Sequence, residues 1–270
     1  MIDMFLLFAV LTGILLGVGW ILGGITGMGI ALVFSFTMNL FSYLYSDKIV
    51  LSIYRAKPFK NSRIEAMIEN LSHEAKIPKP RLYIIEDETP NAFATGRSPQ
   101  RSVIAITRGL LKLEEDEIET VLGHEIAHIK RRDVLTSTVA AVIAGAISYL
   151  AQIGYWSFYL GDKRDSGNLL GLVLVIILAP VAALLVRMAI SRSMEYRADR
   201  YSALLTKKPR SLASALKKIS HMVEQRPIRG PAATSHLWIV NPFRRDWFTG
   251  LFSTHPPIED RIRRLMEMEE

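Results

Sequence analysis

Long uncharged stretches alternate with charged ones along the chain. The first uncharged stretch lies between Asp3 and Asp47. As one helix it would be about 65 Å long, roughly twice the hydrocarbon thickness of a bilayer, so it predicts two membrane spans. Adjacent glycines destabilise a helix and tolerate tight turns, which places the break at Gly23-Gly24 and Thr26-Gly27. The two spans would cover about 4–20 and 25–44.

Two further uncharged runs, 134–161 and 166–186, are each long enough to cross a bilayer. The first stretch lacks a preceding basic segment and a following cleavage signal, so we expect an uncleaved anchor. The pattern therefore predicts four transmembrane helices. It divides the chain into a hairpin of two spans (1–45), a first part outside the membrane (46–133), a second hairpin of two spans (134–190) and a second part outside the membrane (191–270).

The charged stretches predict a mostly α fold with a small β-sheet. Ile64, Met67, Ile68 and Leu71 have helical spacing after a cap at Asn61 or Ser62. Short strands are predicted at 81–86, 91–95 and 102–107. A helix from about residue 114 meets no breaker before the third span, so we expect it to run directly into that span. Further helices are predicted at 191–205, around 212–223 and after Pro256-Pro257.

The distribution of charge and the amino-acid composition indicate which binding partners and metal ligands to expect. The net charge is +7, but the basic residues cluster beside the spans, as in Lys130-Arg131-Arg132, which disfavours nucleic acid and favours contact with the lipid bilayer. By the positive-inside rule this face is cytoplasmic. The chain contains 0 Cys, so a zinc ion would need histidine and carboxylate ligands.

A histidine pair lies in the predicted helix that starts near residue 114. Positions i and i+4, here His124 and His128, are about 5–6 Å apart on one helix face, so both imidazoles can reach one cation. Glu125 is turned only about 60° from the second histidine, which puts its carboxylate beside the metal and suits a catalytic base. The alternative is a helix at the core edge with two hydrogen-bonded histidines.

Zinc held by two histidines needs a third protein ligand and an open position for water. Glu195 is the candidate, because antiparallel pairing of spans three and four brings its helix to the histidine pair. Asp199, one turn later, can accept a hydrogen bond from a ligand imidazole. Arg192 would lie just behind these carboxylates. The alternative is an ion-paired helix face formed with Arg192 and Arg197.

Four motifs, taken in order, resemble the HtpX family of membrane zinc metallopeptidases, which is related to the CaaX-prenyl endoproteases. They are Asn91-Ala92-Phe93-Ala94, His124–His128, the Ser-Arg-x-x-Glu-x-x-Ala-Asp pattern ending at Asp199, and Ser253-Thr254-His255-Pro256. The resemblance covers nearly the whole chain. A Pro/Gly-rich run after Lys207 departs from the family pattern, which leaves substrate preference open.

This resemblance implies a zincin-like (gluzincin) domain on the cytoplasmic side of a multi-pass cell-membrane protein. One Zn2+ per chain would be held by His124, His128 and Glu195, with Glu125 as the base. The substrates would be unfolded or misfolded membrane proteins, degraded in quality control, and other membrane proteases are candidate partners.

The resemblance also implies two further roles around the cleft. Asn91, Ala92, Phe93 and Ala94 would form an edge strand that could bind an unfolded substrate by β-augmentation. His255 would lie near the metal. A donor for the oxyanion is needed besides the metal, and the candidates are His255 and, second, Arg197.

Three alternatives to a peptidase that cuts outside the membrane make different demands on the sequence. A membrane scaffold or chaperone-like protein would hold zinc structurally, with all four positions closed by protein ligands. An intramembrane protease is disfavoured because Lys130-Arg131-Arg132-Asp133 puts the histidine pair at a membrane edge. A transporter is disfavoured because the spans lack an ionisable pair at mid-depth.

Overall fold

The structure is a computed structural model that describes residues 4–144, 192–243 and 255–269. Most of the predicted third span, the fourth span and Ser253-Thr254 lie outside these residues. The helices and strands are α1 (Met4–Ile53), β1 (Lys57–Pro58), α2 (Ser62–Ala75), β2 (Arg81–Ile85), β3 (Ala92–Gly96), β4 (Ser102–Thr107), α3 (Glu115–Arg131), α4 (Asp133–Ala144), α5 (Arg192–Thr206), α6 (Pro209–Gln225) and α7 (Ile258–Met266). The prediction of a mostly α protein with a small sheet is confirmed.

The N-terminal helix α1 is a hairpin. Its backbone leaves helical geometry at Gly23 and at Gly24, where φ is +57°, so the predicted break is confirmed there, while Thr26-Gly27 stays helical. The two halves run back along each other, since Asn39 Nδ2 lies 3.2 Å from Thr12 Oγ1. A Cβ on Gly27 would lie 2.2 Å from the carbonyl oxygen of Gly19, so this close crossing requires glycine.

Among the described residues, one helix is long and apolar enough to cross a membrane, the second half of the hairpin at Gly23–Ile53. Its outer face exposes large apolar side chains, as lipid contact requires: Ile25, Ile30, Leu32, Val33, Phe34, Phe36, Leu40 and Phe41. The first half and α4 are shorter apolar helices, Phe8–Gly17 and Asp133–Ala144.

The sheet has four strands in the order β1-β2-β4-β3. Strands β2 and β4 are parallel, and β3 lies antiparallel to β4 at the sheet edge. The three predicted strands are confirmed within about one residue at each end; β1 was not predicted, because its two residues, Lys57–Pro58, carry no period.

The edge strand β3 is buried along its whole length. The 237–240 segment lies against its outer side: Phe93 and Trp238 form an antiparallel bridge, and the Ile239 N–H donates to the Ala92 carbonyl at 3.0 Å. Trp238 also packs edge-on against the rings of Phe93 and Tyr54. The first half of this edge is therefore already occupied by the chain itself.

Helix α3 lies at the centre of the domain, between the sheet and helices α2, α5 and α6. It begins with a capping box made by Glu114 and Glu117. Its Gly123 faces α5, where a Cβ would come within 2.8 Å of Ser202 Oγ. That hydroxyl donates to the Thr120 carbonyl at 2.6 Å. The small residue lets the two metal-site helices approach closely.

Helix α3 does not continue into the next uncharged stretch, so the prediction of an unbroken helix is wrong. It ends at Arg131, and Arg132 adopts a left-handed conformation with φ +61°. The Arg132 N–H donates back to the carbonyls of His128 and Ile129, which satisfies the helix end. Glycine usually occupies this conformation, which costs other residues about 1–2 kcal/mol. An arginine at this position therefore gives no sign in the sequence that the helix ends here. Helix α4 starts afresh at Asp133.

Candidate metal centre

Three side chains from two helices meet at one point. His124 Nε2 and His128 Nε2 on α3 are 3.1 Å apart. Glu195 on α5 places Oε2 3.7 Å from His124 Nε2 and Oε1 3.5 Å from His128 Nε2. Tetrahedral zinc ligands at about 2.0–2.1 Å from the ion are about 3.3 Å from one another. The donor set therefore has the spacing that one zinc ion requires.

The environment of these donors also fits a cation. His124 is 1 % exposed and Glu195 is 3 % exposed, and Glu195 Oε2 lacks a hydrogen-bond partner. A buried carboxylate costs several kcal/mol unless a positive charge or hydrogen bonds compensate it. Burial lowers the pKa of His124, which favours the neutral imidazole that binds metal. Among the described residues the group that could hold one ion consists of these three side chains.

A buried carboxylate stands behind each imidazole. Asp199 Oδ1 lies 2.9 Å from His124 Nδ1, as a residue that fixes the ligand tautomer should. Asp133 Oδ2 lies 3.7 Å from His128 Nδ1. The turn at Arg132 brings Asp133 back to the site, so sequence reasoning, which assumed an unbroken helix, missed it. In the metal-free protein, burial lowers the pKa of His128 but Asp133 and Glu195 raise it more, to about 9.

Glu125 points into the same cavity as the ligands. It is 2 % exposed, and its Oε1 has no hydrogen-bond partner. Burial raises the pKa of Glu125 to about 8 in the metal-free protein, and the neighbouring Glu195 adds to that effect. The cavity is an open cleft whose empty space, with its open side included, is about 420 Å3. Its wall includes Ala94, Met194 and Trp238.

The remaining predicted site residues are placed as follows. His255 Nδ1 lies 3.4 Å from Glu195 Oε2, beside the ligand group. Arg192 and Arg197 are exposed on α5. Asn91 is buried and its Nδ2 donates to the Val240 carbonyl at 2.8 Å, so it holds the segment that covers β3. The structure thus brings His255 to the ligands and leaves the two arginines at the surface.

Sequence reasoning missed Arg261, which is 0 % exposed. Its Nε and Nη2 donate to the two carboxylate oxygens of Asp199, each at 2.7 Å. The signal was available, since Ile258, Arg261, Ile262 and Leu265 share the spacing of one apolar helix face. A charged residue at such a position needs a buried partner.

A family model and several curated relatives relate this chain to the same group of proteases. The model of peptidase family M48 matches residues 58–269. The chain is 50% identical over 275 residues to a protein named Protease HtpX homolog from Thermococcus sibiricus, covering 98% of this chain and 94% of that protein. It is 51% identical to a relative of the same name from Pyrococcus furiosus and 47% identical to one from Syntrophobacter fumaroxidans, each covering 97% of this chain, with 94% and 97% of the relative covered.

Among solved structures, the chain is similar to the crystal structure of S. mikatae Ste24p. The TM-score is 0.55 at 18% sequence identity, over 94% of this chain. The match spans 61% of the length of Ste24p. At this identity the likeness describes the fold alone.

Proposed function

The chain belongs to the HtpX-type proteases of peptidase family M48, a family of metalloproteases, and from this premise we propose that it is a zinc-dependent endopeptidase with one Zn2+ per chain. His124, His128 and Glu195 hold the ion. The observation that carries the proposal is the group of three side chains from two helices, whose donor atoms lie 3.1–3.7 Å apart, in one cavity with Glu125, whose Oε1 has no hydrogen-bond partner.

The chain's own residues divide the reaction between them. Zinc, when bound, supplies a water of lowered pKa and polarises the peptide carbonyl. Glu125 accepts a proton from the attacking water and later gives it to the leaving amine, because its free Oε1 faces the cavity. Asp199 keeps the His124 proton on Nδ1, 2.9 Å away, so that Nε2 stays free as a ligand. His255, next to Glu195, donates to the developing oxyanion.

The proposed substrates are unfolded or misfolded membrane proteins, cut on the cytoplasmic side by a gluzincin domain that four spans anchor in the cell membrane. The exposed apolar face of Gly23–Ile53 supports the anchoring. Basic residues next to the uncharged stretches support the orientation. Quality control, with other membrane proteases as partners, follows from the family resemblance.

The substrate chain is proposed to bind beside β3 at Ala94, where the cavity reaches the strand; beyond it Thr95 is buried, with its Oγ1 3.3 Å from Thr138 Oγ1 on α4. Ala94 lines the cavity that contains Glu125. The first half of β3 is covered by the 237–240 segment, and Asn91 contributes by holding that segment at Val240. Backbone hydrogen bonds to a strand edge suit unfolded substrates because they depend little on sequence.

The test is zinc content and proteolysis measured together on the full-length protein in detergent, for wild type and Glu125→Ala. We expect both to hold one zinc, and only wild type to cleave an unfolded substrate such as casein. Glu115→Ala, an exposed glutamate on the same helix, is the matched control and should cleave normally. A wild-type protein that binds zinc without cutting would instead be a scaffold with a structural metal. Cleavage by Glu125→Ala at the wild-type rate would show that the assigned base is wrong.

A further inference from the structure

Arg261 on α7 is buried without any exposed surface. Its Nε donates to Asp199 Oδ2 and its Nη2 to Asp199 Oδ1, each at 2.7 Å. Its Nη1 donates to the Ile239 carbonyl at 2.6 Å and lies 3.5 Å from Glu195 Oε2. One guanidinium therefore touches a metal ligand, the partner of another ligand, and a backbone that lines the cavity.

The contact with Asp199 fixes the position of that carboxylate in two directions. Two parallel N–H···O bonds hold the carboxylate in the plane of the guanidinium, which a single bond would not do. The same Oδ1 lies 2.9 Å from His124 Nδ1. A chain of contacts thus runs from Arg261 through Asp199 to the imidazole that binds the metal.

Charge balance gives a second, separate reason for a cation at this place. Four buried carboxylates lie at the site. Asp133 is paired separately, since its Oδ2 lies 3.4 Å from Arg131 Nε, which leaves Glu125, Glu195 and Asp199. One divalent ion compensates two of the three negative charges. The remaining charge would be unpaired in a buried site, which proteins avoid. Arg261 supplies the third positive charge and is itself paired by the same carboxylates.

We propose that Arg261 is a positioning residue of the metal centre, which holds Asp199 in the orientation that His124 requires and balances the charge of the zinc-loaded site. The inference rests on the proposed zinc site. It adds a residue from α7 to a site otherwise built from α3 and α5. A competing explanation is that Arg261 only anchors α7 in the core through the Ile239 carbonyl.

Zinc affinity separates the two explanations, because loss of a core anchor lowers thermal stability without weakening the metal specifically. The full-length protein in detergent is titrated with a chromophoric chelator that competes for zinc. In Arg261→Lys the charge stays but the two-bond fork is lost. We expect its zinc dissociation constant to rise about 10–100-fold, the usual effect of losing a residue behind a metal ligand. Asp199→Asn should show a rise of the same order.

The double variant tests whether Arg261 acts through Asp199. If it does, Arg261→Gln combined with Asp199→Asn raises the dissociation constant no more than the larger single change. If the two effects multiply, the residues act independently and the proposed chain of contacts is wrong. The double variant removes the charges of both partners of the buried pair. If Arg261→Gln alone does not fold, the double variant can still be compared with Asp199→Asn.

An ion pair elsewhere on α3, between a buried glutamate and an exposed lysine, is the control. Glu117 is 2 % exposed, and its Oε1 lies 2.6 Å from Lys218 Nζ. Glu117→Gln should lower the melting temperature and leave zinc affinity unchanged. An unchanged zinc affinity in Arg261→Lys would overturn the inference while leaving the proposed function intact. Absence of zinc from the wild-type protein would instead defeat the proposed function itself.

Discussion

Replacing Glu125 with glutamine should make the metal-free protein more stable and should strongly reduce the activity of the zinc-loaded protein. Glu125 is 2 % exposed and its Oε1 has no hydrogen-bond partner. Burial raises its pKa from 4.5 to about 8. The ionised carboxylate therefore destabilises the folded, metal-free protein, and Glu125→Gln removes that charge while keeping the shape of the side chain.

The size of the effect depends on pH in a defined window. Below pH 4.5 both the folded and the unfolded chain carry the proton on Glu125. Between pH 4.5 and about 8 the unfolded chain releases it first, so the free energy of unfolding falls by about 1.4 kcal/mol for each pH unit. At pH 7 the accumulated loss is about 3 kcal/mol, and Glu125→Gln should recover most of it.

The assay is thermal unfolding in detergent with excess chelator, at pH 5 and pH 7, for wild type and Glu125→Gln. We expect the variant to exceed wild type in melting temperature by several degrees at pH 7 and by much less at pH 5. Comparing the two proteins at each pH cancels the titration of other groups. A difference that stays constant from pH 5 to pH 7 would refute the reasoning, because the buried charge would then not be its source. With zinc restored, hydrolysis should fall by about 10²–10⁴-fold or more.

Three further predictions follow from the same geometry. Removing zinc with a chelator should abolish proteolysis of casein, and stoichiometric zinc, checked by elemental analysis, should restore it; activity that survives complete removal would contradict a metal-dependent reaction. His255→Ala should lower turnover about a hundredfold while zinc stays bound; loss of zinc in parallel with turnover would instead make His255 part of the metal shell. Trp238→Ala removes the edge-on contacts with Tyr54 and Phe93 and should cost about 3–5 kcal/mol of stability, seen as a lower melting temperature; an unchanged value would mean that the 237–240 segment is not part of the core.

Local patterns were enough to predict most of the helices and strands and the histidine pair. The four-residue spacing of His124 and His128 needs only one turn of helix to bring the imidazoles together. The adjacent glycines at 23 and 24 mark a turn that no long-range contact has to impose. Short runs rich in Ile, Val, Tyr and Phe, separated by Thr-Pro and Gly/Pro turns, identify the strands for the same reason, since each signal lies within a few positions of the strand.

Features that depend on packing between distant segments could not be predicted from local sequence patterns. Arg132 adopts a left-handed conformation although no glycine marks this position in the sequence. This conformation places Asp133 beside His128 at the metal site. Asn91 was expected to bind substrate, but its amide donates to Val240, which lies far along the chain. A strand is recognisable from its own residues, whereas the segment that covers its edge is not, because the covering depends on the tertiary fold.

The site is assembled from two halves of the chain that the second predicted membrane hairpin separates. Helix α3 contributes the histidine pair, while Glu195 and Asp199 come from α5 and Arg261 from α7. Without the second half, the histidine pair and Glu125 would lack their partners; without the first half, Glu195 would lack the imidazoles. Burying such groups without partners is unfavourable in either case. Docking of the halves and binding of the ion therefore favour each other. The charges of Glu125, Glu195 and Asp199 are balanced by the Arg261 guanidinium together with a divalent cation, while Asp133 is paired with Arg131. For that reason the stability of the α3–α5 contact, where Gly123 meets Ser202, and the affinity for zinc should rise and fall together.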